Sequence, residues 1–170
     1  MTVPAGAIRQ VRSFDRAVFK AYQRYFVSRF PADINNLKNV IEDILSYYYT
    51  VYDELDDSSV FEFRVVLNEL LINAIKHGGR QSAECFIKVV AGISADGCAL
   101  IIIEDGGEGY DTASVCKCDS AAVKSKNVEE VNETGRGIFI VKKLCDDFMV
   151  NEKGNKVVIN KTLSKSKINI

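Results

Sequence analysis

Glu69, Asn73 and Lys76 stand at positions i, i+4 and i+7, and a helix would turn them onto one stripe about 60° wide. Val66 and Leu70 border that stripe on one side and Val65 and Ile72 on the other, so the polar groups lie between apolar neighbours, as on a helix facing a cleft. A carboxylate one turn from a carboxamide suits a hard cation together with an activated hydroxyl or water, because Mg²⁺ takes oxygen ligands and keeps part of its water shell. The plainer alternative is a surface Glu/Lys helix pair. A second stretch, Glu104 to Asp111, sets glycines at 106, 107 and 109 after an aspartate that leaves an apolar run. Glycine removes Cβ where a backbone passes close to a ligand, and a semi-buried carboxylate accepts a hydrogen bond from an exocyclic amine such as that of adenine. Alone the stretch also reads as a turn, and it lacks the Asp/Asn spacing of a calcium loop. Thr134, Gly135, Arg136 and Gly137 precede a third helix whose free amides and positive dipole end, beside an arginine, favour an anion. Neither a Walker loop nor a full GxGxxG is present, and a tight strand-to-helix connection explains the two glycines equally well.

These residues need a frame. Ile34, Leu37, Val40, Ile41, Ile44, Leu45, Tyr48 and Tyr52 recur at helical steps after Pro31, predicting a helix that starts at Asp33. Ser58 or Ser59 is expected to cap a second helix, which runs through Phe63, Val66, Leu67, Leu70 and Ala74 to His77, with Gly78 and Gly79 as its left-handed stop. Cys85 to Ile93 and Cys98 to Ile103 read as a β-hairpin joined by Ser94 to Gly97. Residues 111–133 are polar without periodicity and read as a lid, and Thr134 is expected to cap a helix reaching about Asp147. Two further strands follow, near Phe148–Asn151 and Lys156–Leu163, before a polar tail at 164–170. Residues 1–25 predict an extra N-terminal amphipathic helix with Val11, Phe14, Val18, Tyr22 and Tyr25 on one face and several arginines opposite.

At 170 residues, 47% apolar and 26% charged, the chain is long enough to form one packed domain without a disulfide or metal staple. Lys plus Arg is 22 and Asp plus Glu is 23, a formal charge of −1, so no basic field exists to hold nucleic acid directly. The longest apolar run, Cys98 to Ile103, is far too short to span a membrane, and the expectation is a cytoplasmic protein. Five cysteines form no regular framework, and the Cys116/Cys118 pair has no second pair at zinc spacing.

Taken together and in this order, Glu69 to Gly78, Asp105 to Asp111 and Gly135 to Val141 resemble the N box and two glycine boxes of the Bergerat-fold adenine-nucleotide-binding domains. Gyrase-type topoisomerases, histidine kinases and mismatch-repair ATPases share those domains. Gly154 to Ile159 is similar to the short terminal box. The compact size, the Gly109-Tyr110-Asp111 ending and the stretch from Gly135 to Asp147 resemble most the bacterial anti-sigma-factor serine/threonine kinases. The likeness covers roughly residues 26–163. It implies a two-layer α/β sandwich, with three helices on one face of a mixed, mostly antiparallel sheet. It implies that Asp105 accepts the adenine amine, Gly107 and Gly109 shape the base pocket, Asn73 ligates Mg²⁺ and Glu69 is the general base. Lys76, His77, Thr134, Gly135, Arg136 and Gly137 complete the implied ATP site, with the lid closing over the phosphates. The implied partners are a sigma factor and a small anti-anti-sigma protein that accepts the phosphoryl group, with a homodimer possible. Two other readings stay open, a nucleotide-binding module without transfer and a stand-alone histidine-kinase catalytic domain.

Overall fold

The computed structural model describes residues 9–11, 25–78, 85–94, 96–107, 109 and 133–163, without the side chains of 9–11 and 133–135. The elements run β1 (Arg9–Val11), β2 (Tyr25–Pro31), α1 (Leu37–Val51), α2 (Asp57–Gly78), β3 (Phe86–Ile93), β4 (Ala99–Asp105), α3 (Glu133–Leu144), β5 (Asp147–Asn151) and β6 (Lys156–Lys161). One six-stranded sheet has the order β1-β5-β6-β4-β3-β2. Its pairs are antiparallel except β1 with β5, so the sheet is mixed and mostly antiparallel, as expected.

The helical periodicity resolves into the face each helix buries. Val40, Ile41, Ile44, Leu45 and Tyr48 of α1 and Val60, Phe63, Val66, Leu67, Leu70 and Leu71 of α2 are all buried. They pack with Ile87, Val89, Ile101, Ile103 and Ile159, which project from one face of the sheet. The other face carries a second cluster of buried residues, Val90, Leu100, Ile102 and Val158. Strands apolar on both faces read as continuous runs, which is why Cys98 to Ile103 shows no alternation.

Tyr48 ties α1 to the β3–β4 hairpin. Its hydroxyl, fully buried, shares one hydrogen between the carbonyls of Leu100 at 2.8 Å and Gly92 at 3.0 Å. Burial pushes its ionisation well above the usual tyrosine range, so it stays a neutral donor. Tyr48→Phe is expected to cost about 1 to 3 kcal/mol, because the ring contacts survive while the donor is lost; urea denaturation measures it.

Several boundaries differ from expectation. Where an N-terminal helix was expected, Arg9–Val11 forms a strand on β5 and Tyr25 opens β2; the pairing of these edges overrides the amphipathic pattern. Residues 12–24, where the rest of that helix falls, lie outside the described residues, as do 111–132 and the tail. Asp33 caps a short 3₁₀ turn, Ile34–Asn36, which leads into α1. The cap of α2 is Asp56, whose Oδ2 accepts from the amide and hydroxyl of Ser59 at 2.9 and 2.8 Å. Gly78 ends α2 without a positive φ; a Cβ there would stand 3.2 Å from Cβ of Asp105 and 3.3 Å from Sγ of Cys85. Close approach, and not a left-handed stop, explains that glycine. Cys85, Cys98 and Cys145 are free and half-buried, and burial pushes the Cys145 thiol up to about 12.

Candidate functional site

The C-terminal half of α2, the end of β4, the start of α3 and the β5–β6 turn converge. Asp105 is the last residue of β4 and only 7% exposed. Its Oδ1 accepts the Gly107 amide at 2.8 Å. Burial raises its ionisation above the ordinary 3.8, against the lowering effects of the Gly107 hydrogen bond, His77 and Lys153. Gly107 is required by space, since a Cβ there would stand 2.8 Å from Oδ1 of Asp105 and 3.0 Å from the His77 carbonyl. Gly109 has φ +84° and turns against the backbone of Lys153.

A small cavity of about 20 Å³ lies beside Asp105, with Asn73, His77, Ile138 and Asn155 among the residues that line it. That is room for one water molecule, so a purine can enter only if these walls part. On the other side of Asn73 a more open cavity of about 280 Å³ is lined by Glu69, Lys76, Arg136 and Gly137, with Ile72 and Ile140 at its apolar edge. Asn73 is the shared wall. Its amide nitrogen is buried and has no hydrogen-bond partner. A buried donor left unpaired is costly, which marks Asn73 as a side chain held ready for a ligand.

Gly137 is the fifth residue of α3, beyond the leading amides that lack intrahelical acceptors, because the helix begins at Glu133 and not after Gly137. It acts by what it lacks: the Glu69 carboxylate occupies the space of a Cβ at 137, with the Asn73 amide alongside. Thr134 and Gly135 fall in the first turn of α3. The helix stops at Leu144, short of the expected Asp147, which starts β5.

The structure therefore brings Glu69, Asn73, Lys76, Arg136 and Gly137 around one cavity and Asn73, His77 and Asp105 around its neighbour. Sequence reasoning missed the polar girdle beneath Asp105. The Asp105 amide donates to the Asn155 carbonyl at 3.0 Å, and Nδ2 of Asn155 donates to the Asp105 carbonyl at 3.1 Å. Asn151 holds that turn by accepting from the amides of Asn155 and Lys156 and donating to Oδ1 of Asn155. The signals were an Asn-to-Asn turn between two strands and the likeness of Gly154 to Ile159 to a terminal box, neither of which pointed to a bond with Asp105.

A helix-flanked carboxylate and carboxamide, a buried aspartate beside close-packed glycines and a glycine-bearing helix start define a nucleotide-binding α/β sandwich. Residues 30–161 match the family model of the histidine kinase-like ATPase domain, and the chain belongs to that family. It is 23% identical over 150 residues to the serine-protein kinase RsbW of Staphylococcus epidermidis, covering 86% of this chain and 91% of that protein. Identity to the RsbW serine-protein kinase of Oceanobacillus iheyensis is 25% over 113 residues, 66% of this chain and 71% of the relative. Among solved structures, that of the RsbU and RsbW domains of Rv1364c from Mycobacterium tuberculosis superposes with a TM-score of 0.58 at 14% identity. That match takes in 87% of this chain and 35% of the other, and it supports the fold. No helix among the described residues is long and apolar enough to cross a membrane.

Proposed function

We propose that this protein is an ATP-dependent serine/threonine protein kinase that also sequesters a sigma factor, its phosphoryl acceptor being a hydroxyl on a small anti-anti-sigma partner. Residues 26–163 are the nucleotide-binding unit of this reading. The observation that carries it is the Glu69 carboxylate seated against Gly137 beside the uncommitted amide of Asn73, at the mouth of a cavity whose far wall leads to Asp105. The serine-kinase names of the relatives support the same assignment.

In this reading Asp105 orients the adenine amine, and the glycines at 107 and 109 let the backbone close on the ring. Lys76 and Arg136, at the wider cavity, offset phosphate charge. Asn73 would hold Mg²⁺ through its carbonyl oxygen, and the ion would supply positive charge to offset that of the phosphates. The unpaired Nδ2 of the same amide is then left to donate to a phosphate oxygen or a water beside Glu69. Glu69 takes the proton from the attacking hydroxyl.

The test is incubation of the full chain with labelled ATP, Mg²⁺ and candidate acceptor proteins. Transfer of label to an acid-stable serine or threonine ester is expected. ATP binding with no transfer to any co-purifying partner would instead make the chain a nucleotide-gated interaction module. An acid-labile phosphohistidine on a partner would make it a histidine-kinase catalytic domain.

A further inference from the structure

Among the described residues two charged side chains are buried, Asp105 and Lys161. Asp105 belongs to the site. Lys161, in β6 and 5% exposed, has no part in it so far. Its ammonium donates to Oε2 of Glu62 at 2.7 Å and to the carbonyl of Leu144 at 2.6 Å. Leu144 ends α3, so that carbonyl has no intrahelical donor and sits at the negative end of the helix dipole. A buried cation bonded in this way is costly to misplace, and its two partners sit on two different helices.

Their positions make a register. Glu62 lies seven residues before Glu69 on α2, and Leu144 lies seven residues after Gly137 on α3. Seven residues are two turns, so each pair shares one helix face about 10 Å apart along the axis. At one point the Glu69 carboxylate rests on Gly137; two turns away Lys161 joins Glu62 to Leu144. The helices therefore run antiparallel, pinned at two points of equal spacing. A glycine contact resists approach but not sliding, since it has no side chain to interlock. Resistance to sliding comes from the packing of Ile138 and Val141 in the core and from the other pin, which alone is directional.

We propose that Lys161 is a positioning residue for the general base: by fixing the axial register of α3 on α2 it holds Gly137, and with it Arg136, opposite Glu69. The proposal rests on the kinase reading of the site. In that reading Asp105, on the Asn155 turn, holds the adenine end of ATP, and Lys161 touches neither, so a loss of register bears less on affinity than on transfer. Transfer depends on Glu69 meeting the hydroxyl in line, and an error of about 1 Å there is enough for a large loss of rate.

Two variants test it in the full chain. Lys161→Met keeps the aliphatic stem and removes the ammonium. Glu62→Gln breaks the ion pair of the same tie from its 41% exposed partner and keeps a carbonyl oxygen for the Lys161 ammonium, so the buried cation is not left without an acceptor. In both, phosphoryl transfer per ATP-bound molecule should fall tenfold or more while the dissociation constant for ATP stays within about twofold. Amide exchange at Ile138 to Val141 should rise at least tenfold, with β3 and β4 unchanged. If both variants lower only the denaturation midpoint, leaving transfer rate and α3 exchange at wild-type values, Lys161 is a stabilising residue and the proposal is overturned. Should wild type transfer no phosphate, the kinase reading has failed, and α3 exchange still decides whether Lys161 sets the register.

Discussion

Asp105→Asn is expected to weaken ATP binding at least tenfold while leaving the unliganded fold as stable as before, or more so. The Gly107 amide already holds Oδ1 of Asp105. An asparagine must keep its only oxygen on that donor, which turns its NH₂ toward the adenine amine and sets donor against donor. A mispaired buried polar group costs about 1 to 3 kcal/mol, hence the tenfold or greater loss. Folding responds in the opposite sense because burial raises the carboxyl above its ordinary 3.8. The folded chain therefore holds this proton more tightly than the unfolded chain, and stability is lost as pH rises through the interval between the two values. Above that interval the cost is fully present, and the amide removes it. The same shift gives ATP binding a pH signature. Affinity should fall on acidification as Asp105 protonates, starting at a higher pH than an exposed carboxylate would show, and the asparagine variant should lack that component. Titration calorimetry across pH measures both effects. An affinity equal to wild type would remove Asp105 from the base pocket.

Glu69→Gln should hold ATP affinity within a few-fold and slow transfer to a partner hydroxyl by roughly 10² to 10⁴, the usual weight of a general base. Glutamine has the shape of glutamate, so its contact with Gly137 survives and only the proton acceptor is lost. Asn73→Ala should fail differently, by weakening the part of nucleotide binding that depends on Mg²⁺. Single-turnover transfer and ATP titrations with and without Mg²⁺ separate the two. Equal transfer rates for wild type and Glu69→Gln, with a genuine acceptor in hand, would defeat the role given to this carboxylate.

Local periodicity made α1 and α2 legible, and β-branched runs around a Ser-Ala-Asp-Gly turn made the β3–β4 hairpin legible. What the sequence concealed depends on partners far along the chain. Arg9–Val11 is three residues long and has strand character only because β5, about 140 residues later, pairs with it. Lys161 reads as an ordinary surface cation; its burial comes from Glu62 and Leu144, which no local pattern connects to it. The girdle of Asn151 and Asn155 joins a hairpin turn to the backbone of β4, a relation that only tertiary structure states. The start of α3 was misplaced because Glu133 and Thr134 continue a polar run with no break at the boundary. Even so, Glu69, Asn73 and Asp105 were identified as a group from side-chain chemistry and order, and the fold sets them around adjoining cavities.

The parallel pairing of β1 with β5 also bears on how the chain assembles. The helical hairpin and the β3–β4 and β5–β6 hairpins close over short sequence separations, so each can form early. The β1–β5 ladder closes the longest loop of the sheet, and its contact order sets it apart from all of them. During synthesis at about 5 to 20 residues per second, β1 emerges before the other described strands and waits roughly 7 to 28 s for its partner strand. Throughout that interval the edge of the sheet that β1 will occupy does not yet exist, so β1 can join only after β5 has been made, although it precedes the other strands in the chain.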